Sequence, residues 1–156
     1  MTNALTSPPR FRTLCAAVPL VITLALNGLI FATGWNMSDP AYARLSIMPP
    51  GWVVGLIWCI IYPLWGLAYA EAAERPSPTA YWVIALMVWG WMYPLLSPLW
   101  STGGSAVANL FSLLLAAVTA WQVSTVSRKG MAFMLPSLVW LSFATWLGYL
   151  AWQQAG

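Results

Sequence analysis

Five apolar stretches, at about residues 13–33, 52–71, 80–100, 106–126 and 131–152, take up most of this 156-residue chain. Each approaches the ~20 residues a helix needs to cross the hydrocarbon core of a bilayer. Only 6% of the residues are charged, against about a quarter in a soluble domain. The pattern predicts an all-α membrane protein in which residues 1–156 form a single bundle of five transmembrane helices, with no soluble domain beside it. The lipid bilayer is therefore its first partner.

The connections between the stretches are short, so consecutive helices must run antiparallel and lie side by side. Glu74-Arg75-Pro76-Ser77-Pro78 reads as a stiff polar connector, and Ser101-Thr102-Gly103-Gly104-Ser105 as a flexible link. Ser127-Arg128-Lys129-Gly130 joins the last two spans. The first connection is longer. It begins after Gly34 with Trp35-Asn36-Met37-Ser38-Asp39-Pro40, an interfacial anchor followed by turn residues, and passes Tyr42 and Arg44. It ends at Pro49-Pro50, which suits the start of a helix near Gly51.

Arg10, Arg12, Arg75, Arg128 and Lys129 fall on one side of such a bundle and only Arg44 on the other. The positive-inside rule then puts the N-terminus in the cytoplasm; the expected location is the bacterial cell membrane. The first apolar run exceeds a secretory h-region and no small-residue cleavage site follows it, so it reads as a span.

Several function classes are disfavoured. Six scattered basic residues form no nucleic-acid patch. There is no histidine, and Cys15 and Cys59 lie in separate apolar stretches as packing thiols, with no metal or disulfide spacing. The acids Asp39, Glu71 and Glu74 sit in connections or at a helix end. No ionisable residue stands in the middle of a span, where it would cost at least ~2.5–3.5 kcal/mol and mark an ion pathway. That argues against a proton relay or an ion-coupled carrier. Without histidine or a buried carboxylate or lysine, no nucleophilic triad can be assembled. No catalytic or metal-binding residue is assigned.

What the spans do offer is aromatic surface interrupted by proline. Pro19, Pro63, Pro94 with Pro98, and Pro136 each remove a backbone donor and favour a kink, which tends to open cavities. In the second span Trp58, Tyr62, Trp65 and Tyr69 fall within one stripe, with Gly51 and Gly55 on nearly the same face. In the third, Trp82, Leu86, Trp89 and Tyr93 form another, with Trp91 opposite; in the fifth, Trp140, Phe143, Ala144 and Leu147 share a face. Two explanations stand for these stripes. They are packed helix interfaces, closed through the small residues, or walls of a cavity suited to a planar, largely apolar ligand.

The second-span pattern Pro49-Pro50-x-Trp52-Val53-x-Gly55-x-x-Trp58-x-x-x-Tyr62-x-x-x-Gly66 resembles the signature of the TspO/MBR family, the tryptophan-rich sensory and translocator proteins. The fifth-span run from Pro136 through Trp140 and Phe143 to Tyr149 is similar to the family's last helix. The resemblance implies a homodimer of five-helix bundles, each enclosing a pocket that opens near the first loop. It also implies binding of porphyrin- or haem-type tetrapyrroles as ligands, no required cofactor, and a sensor, regulator or carrier role. Carried over residue by residue, the pocket would be lined by Trp52, Tyr62, Trp91, Tyr93, Trp140, Phe143, Ala144 and Leu147.

The chain departs from the family pattern in three places. Ser46-Ile47-Met48 replaces the Lys-Pro-x-Trp run before the double proline, and Gly90 replaces the asparagine before Trp91. Gln153 and Gln154 stand where animal members complete a cholesterol motif with a basic residue, so sterol binding ranks below tetrapyrrole binding. Two other functions stay open: a light-dependent porphyrin-degrading enzyme, as proposed for some members, and a structural or partner-binding subunit with a filled core.

Overall fold

A computed structural model describes residues 9–35 and 40–155. Five long helices dominate: α1 (Pro9–Thr33), α3 (Gly51–Ala73), α4 (Thr79–Leu96), α5 (Thr102–Val126) and α6 (Arg128–Ala155), with a one-turn helix α2 (Pro40–Ala43) in the first connection. All five long helices are long and apolar enough to cross a membrane. Each covers one of the five apolar stretches, with ends shifted by a few residues. Helix α1 ends where Gly34 adopts φ +65°, a left-handed conformation that a β-carbon would strain. Segment 36–39 of the interfacial loop, including Asp39, lies outside the described residues.

One connection differs from its reading. Residues 102–105 are not a flexible link but the first turn of α5, because Ser101 caps the helix by accepting a hydrogen bond from the Gly104 N–H at 3.1 Å. Helix α4 ends in a 3₁₀ turn over Ser97–Leu99, since Pro98 has no N–H to offer the carbonyl four residues back.

The helices close a ring. Helix α1 packs on α3, α3 on α6, α6 on α5 and α5 on α4, and α4 returns to α3 and, more lightly, to α1. Hydrophobicity does not drive this association inside lipid, so close contact and interhelical hydrogen bonds must hold it. Small residues permit the contact. A β-carbon on Gly66 would overlap the Cys15 carbonyl of α1, and that is the carbonyl Pro19 leaves without its helical donor.

Packing is uneven along the bundle axis. In one half, Trp65 and Ala68 of α3, Val83 of α4, Ala116 and Val123 of α5 and Met134 of α6 are fully buried against one another. The Trp65 indole N–H donates to Ser137 Oγ of α6 at 2.9 Å, and Ser137 in turn donates to the Met134 carbonyl at 2.7 Å. At the end of this half Arg12 of α1 bridges Glu71 of α3 and Glu74, which caps that helix, each at 2.7 Å. Ser127, ahead of α6, donates to Glu71 at 3.0 Å and Lys129 approaches the same carboxylate at 3.7 Å. In the other half the helices separate.

Candidate functional site: an uncharged aromatic cavity

The separated half encloses a cavity of about 670 Å³, within the range of small-molecule sites. Its floor is formed by Tyr62, Trp65, Leu86 and Leu141, each no more than 3% exposed. Its mouth is marked by exposed lining residues at one end of the bundle: Phe31, Met48, Gly51, Pro98 and Ser101. The first connection reaches over it, with Tyr42, Ala43, Met48 and Pro49 in the lining. The first connection is anchored on α6 through Ala41 of α2 and the following Leu45, which bury against Leu147 and Ala151.

Helix α3 supplies the central wall because Trp58, Tyr62 and Trp65 recur at spacings of four and three. Their rings interlock, with centroids 5.6 Å apart for Trp58 and Tyr62 and 5.1 Å for Tyr62 and Trp65. Both explanations of the stripe hold in part: the rings face the cavity, while the glycines serve helix packing. A β-carbon on Gly55 would meet the Asn27 amide of α1 at 3.3 Å and Phe31 at 3.4 Å. Asn27 donates to the Gly55 carbonyl at 3.1 Å, tying α1 to α3 beside the cavity.

Helix α5 supplies the polar wall. Thr102, Ser105, Asn109 and Ser112 line the cavity at spacings of three and four, one face of a helix. Trp89 of α4 donates to Ser112 Oγ at 2.7 Å. The Asn109 amide donates to the Ala144 carbonyl of α6 at 3.3 Å and to the Tyr42 hydroxyl at 3.4 Å. The loop, α5 and α6 therefore meet at one amide, and Gly148 makes room for it: a β-carbon there would stand 2.8 Å from Asn109 Nδ2.

Of the eight residues carried over from the family pattern, Tyr62, Tyr93, Trp140, Ala144 and Leu147 line this cavity. Three do not. Trp52 stands one position along from Gly51, so the helix turns it outward, where it is 65% exposed. Trp91 is partly buried against the core cluster and lies outside the cavity lining. It packs behind Tyr62, stacked 5.1 Å away, with its indole N–H on Thr23 Oγ1 at 3.1 Å. Phe143 packs against the cluster under α2 and contacts Trp140 and Trp146 at 5.7 and 6.0 Å.

Trp58, Trp65 and Trp89 stand out in the stripes yet are absent from the carried-over set, and all three line the cavity. Thr23 and Asn27 of α1 and the hydroxyl–amide face of α5 were missed altogether. The spacing of 102, 105, 109 and 112 was a usable signal, masked by the overall hydropathy of that span.

Among the described residues that line the cavity none is charged and none is a cysteine. Among the described residues no group of histidines, cysteines or carboxylates could hold a metal ion. The arrangement can bind a flat apolar molecule between indoles and offer it hydroxyl and amide contacts along one side.

The sequence profile of the TspO/MBR family matches residues 15–153 of the chain. The chain is also 31% identical over 114 residues to the translocator protein of Ovis aries, an alignment that covers 67% of each protein.

Proposed function

The chain belongs to the TspO/MBR family, and from that premise we propose that its cavity binds a porphyrin- or haem-type tetrapyrrole or a similar flat apolar molecule, as a membrane sensor, regulator or carrier. The observation that carries this reading is the pairing of an indole-lined wall, Trp58, Trp65, Trp89 and Trp140, with the hydroxyl–amide face of α5 across a cavity of about 670 Å³. Ring faces recognise a planar π-system by offset stacking and edge contacts. The chain has no histidine, so no imidazole is available as an axial ligand to a bound iron, and the indole wall is the main recognition surface for the macrocycle. Among the described residues no acid–base pair lines the cavity, which favours binding or carriage over chemistry. The functional unit in this reading is a homodimer, with the cavity mouth on the outer side and the cluster of Arg12, Glu71, Glu74 and Lys129 on the cytoplasmic side.

Binding is tested by titrating the detergent-purified protein with protoporphyrin and following tryptophan fluorescence. Saturable quenching is expected, weakened in Trp140→Phe and unchanged in Trp52→Phe, whose side chain lies outside the cavity. Quenching that rises without saturation, alike in all three proteins, would mean partition into detergent and would refute the reading.

A further inference from the structure

We infer that the bound molecule is an amphipathic anion held body first: its neutral, apolar part fills the cavity and its carboxylate stays at the mouth, paired with Arg44. This rests on the reading of the cavity as a tetrapyrrole site and adds the orientation and ionic state of the ligand.

Among the described residues the cavity wall carries hydroxyls, amides, phenols and indoles but no cation. An ionised carboxylate drawn out of water needs a charge partner as well as hydrogen bonds, and neutral donors do not replace one. Its two side-chain amides are already engaged, Asn109 donating to Tyr42 and to the Ala144 carbonyl and Asn27 to the Gly55 carbonyl. A carboxylate that entered first would finish against Tyr62, Trp65, Leu86 and Leu141 on the floor, with no charged partner among the described residues there and almost no access to solvent. The low-energy pose leaves it outside.

Arg44 stands where it would be. It directly follows Ala43, which lines the mouth, so its Cα lies one peptide step of about 3.8 Å away. Its side chain is exposed, and no carboxylate among the described residues pairs with it. Neighbouring Leu45 and Ala41 are buried against α6, so the backbone that carries the guanidinium is held in place. Among the described residues at this end of the bundle Arg44 is the only charged one; Arg12 and Lys129 are engaged with Glu71 at the opposite end. A guanidinium offers a planar fork of donors that matches a carboxylate.

The test compares protoporphyrin IX, a diacid, with its dimethyl ester, which has the same ring and no charge. Both are titrated into the full-length parent, Arg44→Gln and Arg44→Glu in detergent at neutral pH. The diacid should bind about fivefold more weakly to Arg44→Gln, the size expected of one partly exposed ion pair, and more weakly still to Arg44→Glu. Added salt should weaken the diacid alone. The ester should bind all three proteins within about twofold of one another. Saturable binding of both ligands with the diacid unaffected by either substitution, or with both ligands affected in parallel, overturns the orientation and leaves the tetrapyrrole site standing. Failure of both ligands to saturate the parent overturns the tetrapyrrole reading and this inference with it.

Discussion

The phenol of Tyr62 lies flat against the indole of Trp91, their planes 5° from parallel and their centroids 5.1 Å apart. The Trp91 N–H in turn donates to Thr23 of α1, so the floor of the cavity is fixed jointly by α1, α3 and α4. The Tyr62 hydroxyl, 3.4 Å from the Met87 carbonyl, fills the space a side chain on residue 90 would need. That accounts for glycine at a position where the family pattern has asparagine.

Gly90→Ala should therefore strain the floor. A β-carbon there would sit 2.6 Å from Tyr62 Oη, on a ring already stacked against Trp91. A loss of about 1–3 kcal/mol in stability is expected. Adding Tyr62→Phe removes the oxygen and leaves ring carbon Cζ 3.5 Å away, an ordinary contact, so the double variant should recover most of the loss. Thermal melts of the four proteins in detergent measure this coupling; a double variant that melts no higher than Gly90→Ala would contradict the geometry.

Ala144 faces the cavity while its carbonyl accepts from Asn109. Ala144→Phe adds bulk to empty space and leaves that backbone bond in place. The ligand-free melting temperature should stay close to the parent's while most protoporphyrin affinity disappears. Were the position packed core, the ring would instead cost about 1–3 kcal/mol of stability. A destabilised variant that binds as tightly as the parent would remove α6 from the site.

Glu71 joins α1, α3 and the start of α6 through Arg12, Ser127 and Lys129, and its side chain is 11% exposed. Glu71→Gln keeps the shape and gives up charge-assisted bonds, so a loss of about 1–3 kcal/mol is expected. Because the cluster lies at the end remote from the cavity, the protoporphyrin Kd should not change. Parallel losses of stability and affinity would show that the two ends are coupled.

The five-to-one distribution of basic residues predicts which end faces the cytoplasm. In a background with Cys15 and Cys59 replaced by alanine, a cysteine at exposed Ser101 should react with an impermeant thiol reagent on intact cells, and one at Ser77 should not. Ser105, 6% exposed in the cavity wall, is unsuited to such labelling. The reverse pattern would invert the bundle in the membrane.

The five spans, their antiparallel order and the start of α3 after Pro49-Pro50 could be read from the chain alone, because span length and the run of apolar residues are local properties set by the thickness of a bilayer and the reach of a helix. The stripe of Trp58, Tyr62 and Trp65 was legible for the same reason, since side chains three and four apart share a helix face. Which faces meet was not local. Trp52 and Trp91 are as aromatic as Trp58 and Trp89, yet one points outward and the other packs behind Tyr62, according to how far α3 and α4 are rotated about their axes. That rotation is fixed by contacts between distant residues, such as Gly66 on the Cys15 carbonyl and Trp65 on Ser137. The hydroxyls and amide of α5 became a cavity wall only when α4 and α6 came to stand beside them.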